Sequence, residues 1–175
     1  MTIPVYVFTG FLESGKTSLI KDTLMDPGFN DGEKTLLLVC EEGMEEYDDE
    51  FLKKANTSIV TVGNETDLSY AFMKQCDSLI EPDRVMIEFN GTWNFTKFLD
   101  EEMPFDWLLV QILSTVDAST FEVYLNNMRS MIYEQLVHSE TIIFNRCDEN
   151  TKKLYLSNNI KAINKSAQII YESKD

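Results

Sequence analysis

Histidine occurs once in this 175-residue chain, as His138, and cysteine three times, as Cys40, Cys76 and Cys147. A single histidine can build neither a histidine metal cluster nor a catalytic triad. Three cysteines are an odd number, and none of them share CxxC spacing. By themselves they indicate no disulfide framework and no zinc site, and a reduced cytoplasmic setting fits. Positive charge is also scarce. Lys and Arg total 15 against 30 Asp and Glu, for a net charge of -15. A surface of that sign repels a phosphate backbone and an anionic bilayer, so neither a nucleic-acid nor a membrane partner is expected. No apolar run approaches the length of a membrane span. Met1-Thr2-Ile3-Pro4 leads into an apolar run with no basic segment before it, so no secretory leader is expected. There is no internal repeat and no low-complexity linker. The apolar fraction is ordinary for a globular chain, and one domain over residues 1–175 is the simplest organisation.

Against this background one stretch carries chemistry. Val5-Tyr6-Val7-Phe8-Thr9 reads as a buried strand, and Gly10-Phe11-Leu12-Glu13-Ser14-Gly15-Lys16-Thr17 fits G-x-x-x-x-G-K-[ST]. An apolar-periodic helix follows from Leu19 to Met25. In such a strand–loop–helix unit the backbone N–H groups of Glu13 to Thr17 surround a β-phosphate, and the helix N-terminus adds its dipole. Lys16 then reaches the β- and γ-phosphates and the Thr17 hydroxyl ligates Mg²⁺. The expected phosphate set is Gly10, Glu13, Ser14, Gly15, Lys16, Thr17 and Ser18.

Further along, strands are expected over residues 35–40, 58–62, 84–88, 107–116, 141–144 and 167–171. Helices are expected over 67–79, 93–99, 118–137 and 151–163. In the 67–79 helix Leu68, Ala71, Phe72, Cys76 and Leu79 share one side, which makes Cys76 a core residue. The acidic stretch 41–50 reads as a loop at a strand's carboxyl end, where open α/β sheets place ligands. Glu41 could there serve Mg²⁺ or its water shell. Glu45, Glu46, Asp49 and Glu50 read as solvated, and Asp48 stays open. Glu88 closes an apolar strand and is followed by Phe89-Asn90-Gly91. That is the pattern of an acid anchoring the Mg²⁺ water shell, with a glycine free to turn its N–H toward a γ-phosphate. His138 falls at the end of the long helix, where it could cap it or offset its dipole.

After the strand at 141–144 comes Asn145-Arg146-Cys147-Asp148, the N-K-x-D guanine signature with Arg for Lys. Asn145 can bond the base's acceptor edge and tie loops together. The Asp148 carboxylate can accept from guanine's ring N–H and exocyclic amine, a donor pair that adenine lacks. Arg146 can lie over the base plane.

These pieces resemble the G domain of the CobW/HypB/UreG group of P-loop GTPases, nearest its CobW-like branch. The matching residues are Ile3-Pro4-Val5 leading to Gly10-Phe11-Leu12 and Ser14-Gly15-Lys16-Thr17; Glu41, Gly43 and Asp48; and Glu88-x-x-Gly91. Beyond them come Val116-Asp117-Ala118, Glu134-Gln135-Leu136, Asn145-x-x-Asp148 and Asn164-x-x-Ala167-x-Ile169. The resemblance implies a three-layer α/β/α P-loop NTPase fold with a mostly parallel central sheet. It implies GTP or GDP with Mg²⁺ as ligands, a metallochaperone or metal-insertase setting, a client protein and a nucleotide-dependent homodimer. The chain departs from that group in three ways. Val62-Gly63-Asn64-Glu65-Thr66-Asp67 stands where such proteins carry Cys-x-Cys-Cys, so the thiolates that favour zinc or cobalt are missing. The group's C-terminal domain is not among residues 1–175. Arg146 and Glu13 replace the usual Lys and Gly.

The expectation is a cytoplasmic GTP-binding domain that hydrolyses GTP to GDP and phosphate. Lys16, Thr17 and Glu88 act in catalysis, and Thr17, Glu88 and Glu41 serve the metal. No switch glutamine is evident, so turnover should be slow without a partner. Two rivals stay open: a non-catalytic GTP/GDP switch or scaffold, and an ATP-using kinase or ATPase.

Overall fold

A computed structural model of the chain describes residues 1–11, 13–40 and 47–173. Its strands are β1 (Ile3–Thr9), β2 (Thr35–Val39), β3 (Thr57–Thr61), β4 (Arg84–Glu88), β5 (Trp107–Asp117), β6 (Thr141–Cys147) and β7 (Gln168–Ser173). Its α-helices are α1 (Lys16–Met25), α2 (Asp49–Lys54), α3 (Tyr70–Ile80), α4 (Phe95–Asp100), α5 (Phe121–Asn127), α6 (Arg129–Leu136) and α7 (Lys153–Ile163). The strands form one sheet in the order β3-β2-β4-β1-β5-β6-β7, and every ladder is parallel. A sheet expected to be mostly parallel is therefore wholly so among the described residues.

Burial follows the sequence pattern. The uninterrupted apolar runs in β2 and β4 are buried at all five positions, as strands covered on both faces must be. On β1 the period of two separates two cores. Val5 and Val7 pack with Met73 and Cys76 of α3 and Phe95 and Phe98 of α4. Tyr6 and Phe8 pack with Ile20 and Leu24 of α1 and Phe51 of α2. The register carries the first face across β5 and β6 to a third cluster, where Val116, Ile142 and Phe144 meet α5, α6 and α7. Helices thus cover both faces, giving three layers.

The chain leaves β1 toward one face, by α1, and leaves β4 toward the other, by α4. β1 and β4 are neighbours, so their carboxyl ends flank a crevice where the two connections diverge. Open α/β sheets bind ligands at such a point.

Four expectations change. The helix expected over 118–137 is two helices, α5 and α6, parted at Met128 (φ -135°, ψ 42°). Just before the break the Asn127 side chain donates to the Val123 carbonyl at 2.8 Å, a local bond that competes with helix continuation. The helix expected from 67 begins at Tyr70, because the Ser69 hydroxyl accepts the Phe72 N–H at 3.2 Å as an N-cap. Its buried row is Met73, Cys76 and Asp77, and Leu79 faces solvent instead of the core. The acidic stretch is not all loop. Asp48 caps α2 by accepting the Phe51 N–H at 2.7 Å, and Asp49 and Glu50 lie in the first turn, where the helix dipole favours them. His138 lies beyond α6, exposed, with its ring edge-on to Phe95.

Candidate functional site

The phosphate-loop candidates meet at the carboxyl end of β1. Gly10 follows the strand, and α1 starts at Lys16. Between them Glu13 (φ 62°) and Gly15 (φ 102°) both have left-handed backbone, flanking Ser14. Such turns aim successive N–H groups into one concavity, an anion nest. The loop is braced from outside. The Ser14 hydroxyl pairs with the Thr115 hydroxyl at 2.7 Å, and the Ser14 carbonyl accepts from Nδ2 of Asn145 at 2.7 Å. Gly15 has to be glycine: besides its φ, a Cβ there would run into the Asn145 amide. Lys16 is 3% exposed, and its ammonium donates to the carbonyls of Gly10 and Phe11. Thr17 and Ser18 sit in the first turn of α1, Thr17 half-buried and Ser18 exposed.

Across the crevice, Glu88 ends β4 and is only 4% exposed. Both its oxygens accept hydroxyls. Thr17 Oγ1 donates to Oε1 at 2.6 Å, and the Tyr47 phenol donates to Oε2 at 2.6 Å. Thr17 and Glu88 are brought together as expected. Tyr47 was not expected there: it is an aromatic inside an acidic run, and nothing local in the sequence marks it as a partner of Glu88. Glu41, the third metal candidate, lies outside the described residues. A hydroxyl and a carboxylate beside an anion nest form the hard oxygen set that Mg²⁺ takes together with nucleotide phosphates. Among the described residues no three His, Cys, Asp or Glu gather into a site that could hold a metal by themselves. Residues 62–67 offer no thiolate. Glu65 within them instead accepts the Asn94 N–H at 2.6 Å, just before α4.

Gly91 packs directly on the phosphate loop. A Cβ on it would collide with the Gly10 carbonyl. The Gly91 carbonyl accepts from the side-chain amide of Gln135 on α6, which is 5% exposed. The Gln135 carbonyl in turn accepts the Ser139 hydroxyl at 2.9 Å. Ser139 pairs with Ser114 at 2.5 Å, and Ser114 with Thr9 at 2.7 Å, one residue before Gly10. These buried hydroxyls satisfy one another and link α6 to the root of the loop. The sequence signal for Gln135 is an amide within the apolar row formed by Ile132 and Leu136.

The third cluster ends β6. Asn145 holds the phosphate loop, as described. Arg146 (φ 58°) donates through Nη1 to the Glu13 carbonyl at 2.9 Å and to Asp117 Oδ2 at 2.8 Å. Its head thus bridges the phosphate loop and the end of β5, a role not anticipated for it. Asp148 is exposed, and its Oδ1 accepts the Asn150 N–H at 2.9 Å. It lines a surface cleft of about 260 Å³ with Arg146, Ala118, Ser119 and Lys152.

All three thiols are buried. Burial pushes the Cys76 and Cys147 thiols above their ordinary range, so both favour the neutral form.

Residues 4–171 match the family described as CobW/HypB/UreG, nucleotide-binding domain. Over 162 residues the chain is 25% identical to zinc-regulated GTPase metalloprotein activator 1 of Schizosaccharomyces pombe, covering 83% of this chain and 39% of that protein. Its fold is similar to that of Zn(II)-bound YjiA GTPase from E. coli, with TM-score 0.72, 22% identity, 97% of this chain and 57% of the other. It is also similar to hydrogenase maturation factor HypB from Archaeoglobus fulgidus, with TM-score 0.67, 17% identity, 98% of this chain and 81% of the other. The chain therefore spans about two fifths of the curated relative's length. No helix among the described residues is long and apolar enough to cross a membrane.

Proposed function

The chain belongs to the CobW/HypB/UreG nucleotide-binding domain family, and from that premise we propose that it binds GTP with Mg²⁺ and hydrolyses it slowly in the cytoplasm. The observation that carries the proposal is the pair of bonds from Asn145 and Arg146 to the carbonyls of Ser14 and Glu13. They join the guanine-type tetrapeptide to the phosphate-type loop, so one nucleotide can span both.

In this reading the N–H groups of residues 13–17 and the N-terminus of α1 hold the phosphates. The Lys16 ammonium leaves its two carbonyl partners for the β- and γ-phosphate oxygens. Mg²⁺, held by Thr17 and through water by Glu88, would neutralise charge on the β- and γ-oxygens. A water attacks the γ-phosphorus in line, the bond to the β–γ bridging oxygen breaks, and GDP and phosphate result. Lys16 and the loop amides stabilise the charge that moves to the bridging oxygen. Asp148 accepts from the guanine N–H pair. Gln135, which reaches Gly91, donates a side-chain N–H to that carbonyl. We read turnover as slow until a client protein or a second copy of the chain completes the site.

The curated relative is called a metalloprotein activator. For this chain we propose nucleotide-dependent recruitment of a client without a thiolate-held metal at residues 62–67.

The test is nucleotide binding and phosphate release on the purified chain, with and without Mg²⁺. GTP and GDP should bind in preference to ATP, with turnover on the order of 10⁻⁴ to 10⁻² per second. Preference for ATP, or turnover of several per second for the chain alone, would overturn the reading.

A further inference from the structure

The buried carboxylate of Glu88 is held by two hydroxyls, and only one belongs to the phosphate loop. Thr17 takes Oε1. Tyr47, just before the cap of α2, takes Oε2 at 2.6 Å. A carboxylate has about four acceptor positions. Two hydroxyls occupy two of them and fix the plane of the group, and two remain for water. The Thr17 hydroxyl, by donating to Oε1, turns its own lone pairs away from Glu88. Hydrogen bonds of this length to a charged acceptor are the strong kind. The second hydroxyl adds a restraint on the rotation of this carboxylate beyond the one that Thr17 supplies.

We propose that Tyr47 is a positioning residue for the Mg²⁺ site: its phenol fixes Glu88 so that the two remaining acceptor positions meet the metal's water shell. This rests on the GTP–Mg²⁺ reading above. The ring and the hydroxyl have separable roles. The ring packs near Phe51, with centroids 6.3 Å apart, and under the Lys21 ammonium at 5.5 Å. Removing only the hydroxyl leaves those contacts in place. Tyr47 lies one residue before the Asp48 cap, so the same bond ties the start of α2 to the end of β4.

The experiment is a titration of fluorescent GDP and GTP-analogue affinity against Mg²⁺ for the wild type, Tyr47→Phe, Glu88→Gln and the double variant. Tyr47→Phe is expected to raise the half-saturating Mg²⁺ about three- to tenfold, with affinity in EDTA unchanged. In the Glu88→Gln background the same change should add no further shift, because the bond it removes serves Glu88. A merely structural role would change affinity in EDTA, or act equally in both backgrounds, and either result overturns the proposal. So does an unchanged or lowered half-saturating Mg²⁺, which would make the phenol a bystander or a competitor. If the wild type shows no Mg²⁺-dependent guanine-nucleotide binding, the reading of the whole site falls and this proposal falls with it. A Mg²⁺-dependent wild type with an indifferent Tyr47→Phe removes the proposal alone.

Discussion

The Arg146 guanidinium donates to the Glu13 carbonyl at 2.9 Å, and both residues have left-handed backbone, with φ 58° and 62°. Neither is glycine. Each carries a conformational penalty of about 1–2 kcal/mol, retained because the bond and the Asp117 ion pair hold the loop in one shape. The strained pair joins the two halves of the proposed nucleotide site.

Glu13→Gly follows from that strain. Glycine adopts this φ without penalty but loses about 0.4–1 kcal/mol through the freer unfolded chain, so the net gain should be about 0.5–1 kcal/mol. Urea denaturation measures it. The change also removes an exposed carboxylate beside the phosphates, so nucleotide affinity should rise several-fold. Glu13→Ala separates the two effects: it should raise affinity without raising stability. Equal stability changes in the two variants would show that backbone strain is not the cause.

Asp148 carries the expected base selectivity. Asp148→Ala removes the acceptor for guanine's N–H pair, and a site built to bond such donors discriminates strongly. GTP affinity should fall about tenfold or more, with ATP affinity little changed, so the preference narrows. Competition of ATP and GTP against a fluorescent guanine nucleotide reads the ratio. An unchanged ratio would assign base selection to other residues.

How far such residues could be read without coordinates depends on how local their partners are. The loop from Gly10 to Thr17 is one contiguous stretch, and its conformation is written in its own glycines. Glu88 was legible because a carboxylate closing a buried apolar strand has few other reasons to be there. Asn145 was legible as a loop tie, although its partner, the Ser14 carbonyl, lies 131 positions away. Tyr47 was not legible as a site residue, and Gln135 only as an amide within an apolar row, since each acts on a residue about forty positions distant through a bond that no periodicity encodes. The break at Met128 was hidden because Phe121, Leu125, Ile132 and Leu136 keep helical spacing straight through it. The Arg146–Asp117 pair depends on β5 and β6 being neighbours with Asp117 opposite Asn145, which is sheet register and not sequence.

Gln135 gives a third prediction. Its amide holds the carbonyl of Gly91, whose Cα packs on Gly10 where a γ-phosphate sensor would move. Gln135→Leu keeps the volume roughly and removes the donor, leaving a buried carbonyl without that bond. Stability should drop by about 1–3 kcal/mol. The affinity ratio between a GTP analogue and GDP should also change, because the Gly91 peptide is no longer held. A stability loss with an unchanged ratio would make Gln135 a packing residue only.

The thiols provide the last prediction, and it bears on metal delivery. Zinc and cobalt take the thiolate, and binding them requires the thiol to lose its proton. Cys76 and Cys147 are buried, and burial raises both thiols above the ordinary range, so at neutral pH each holds less thiolate than a free cysteine. Cys147 also donates to the Phe144 carbonyl at 3.3 Å. Both should therefore resist a maleimide in the native protein near neutral pH. They should react only as the solution is made more alkaline than a free thiol requires, or as the chain unfolds. Adding zinc should leave those labelling rates unchanged. Cobalt should produce no thiolate-to-metal charge-transfer band that depends on Cys76 or Cys147, and dialysis should find no stoichiometric metal held through either sulfur. Protection of either thiol by zinc, strengthened by GTP, would restore a thiolate carrier role through a rearrangement that frees a buried cysteine.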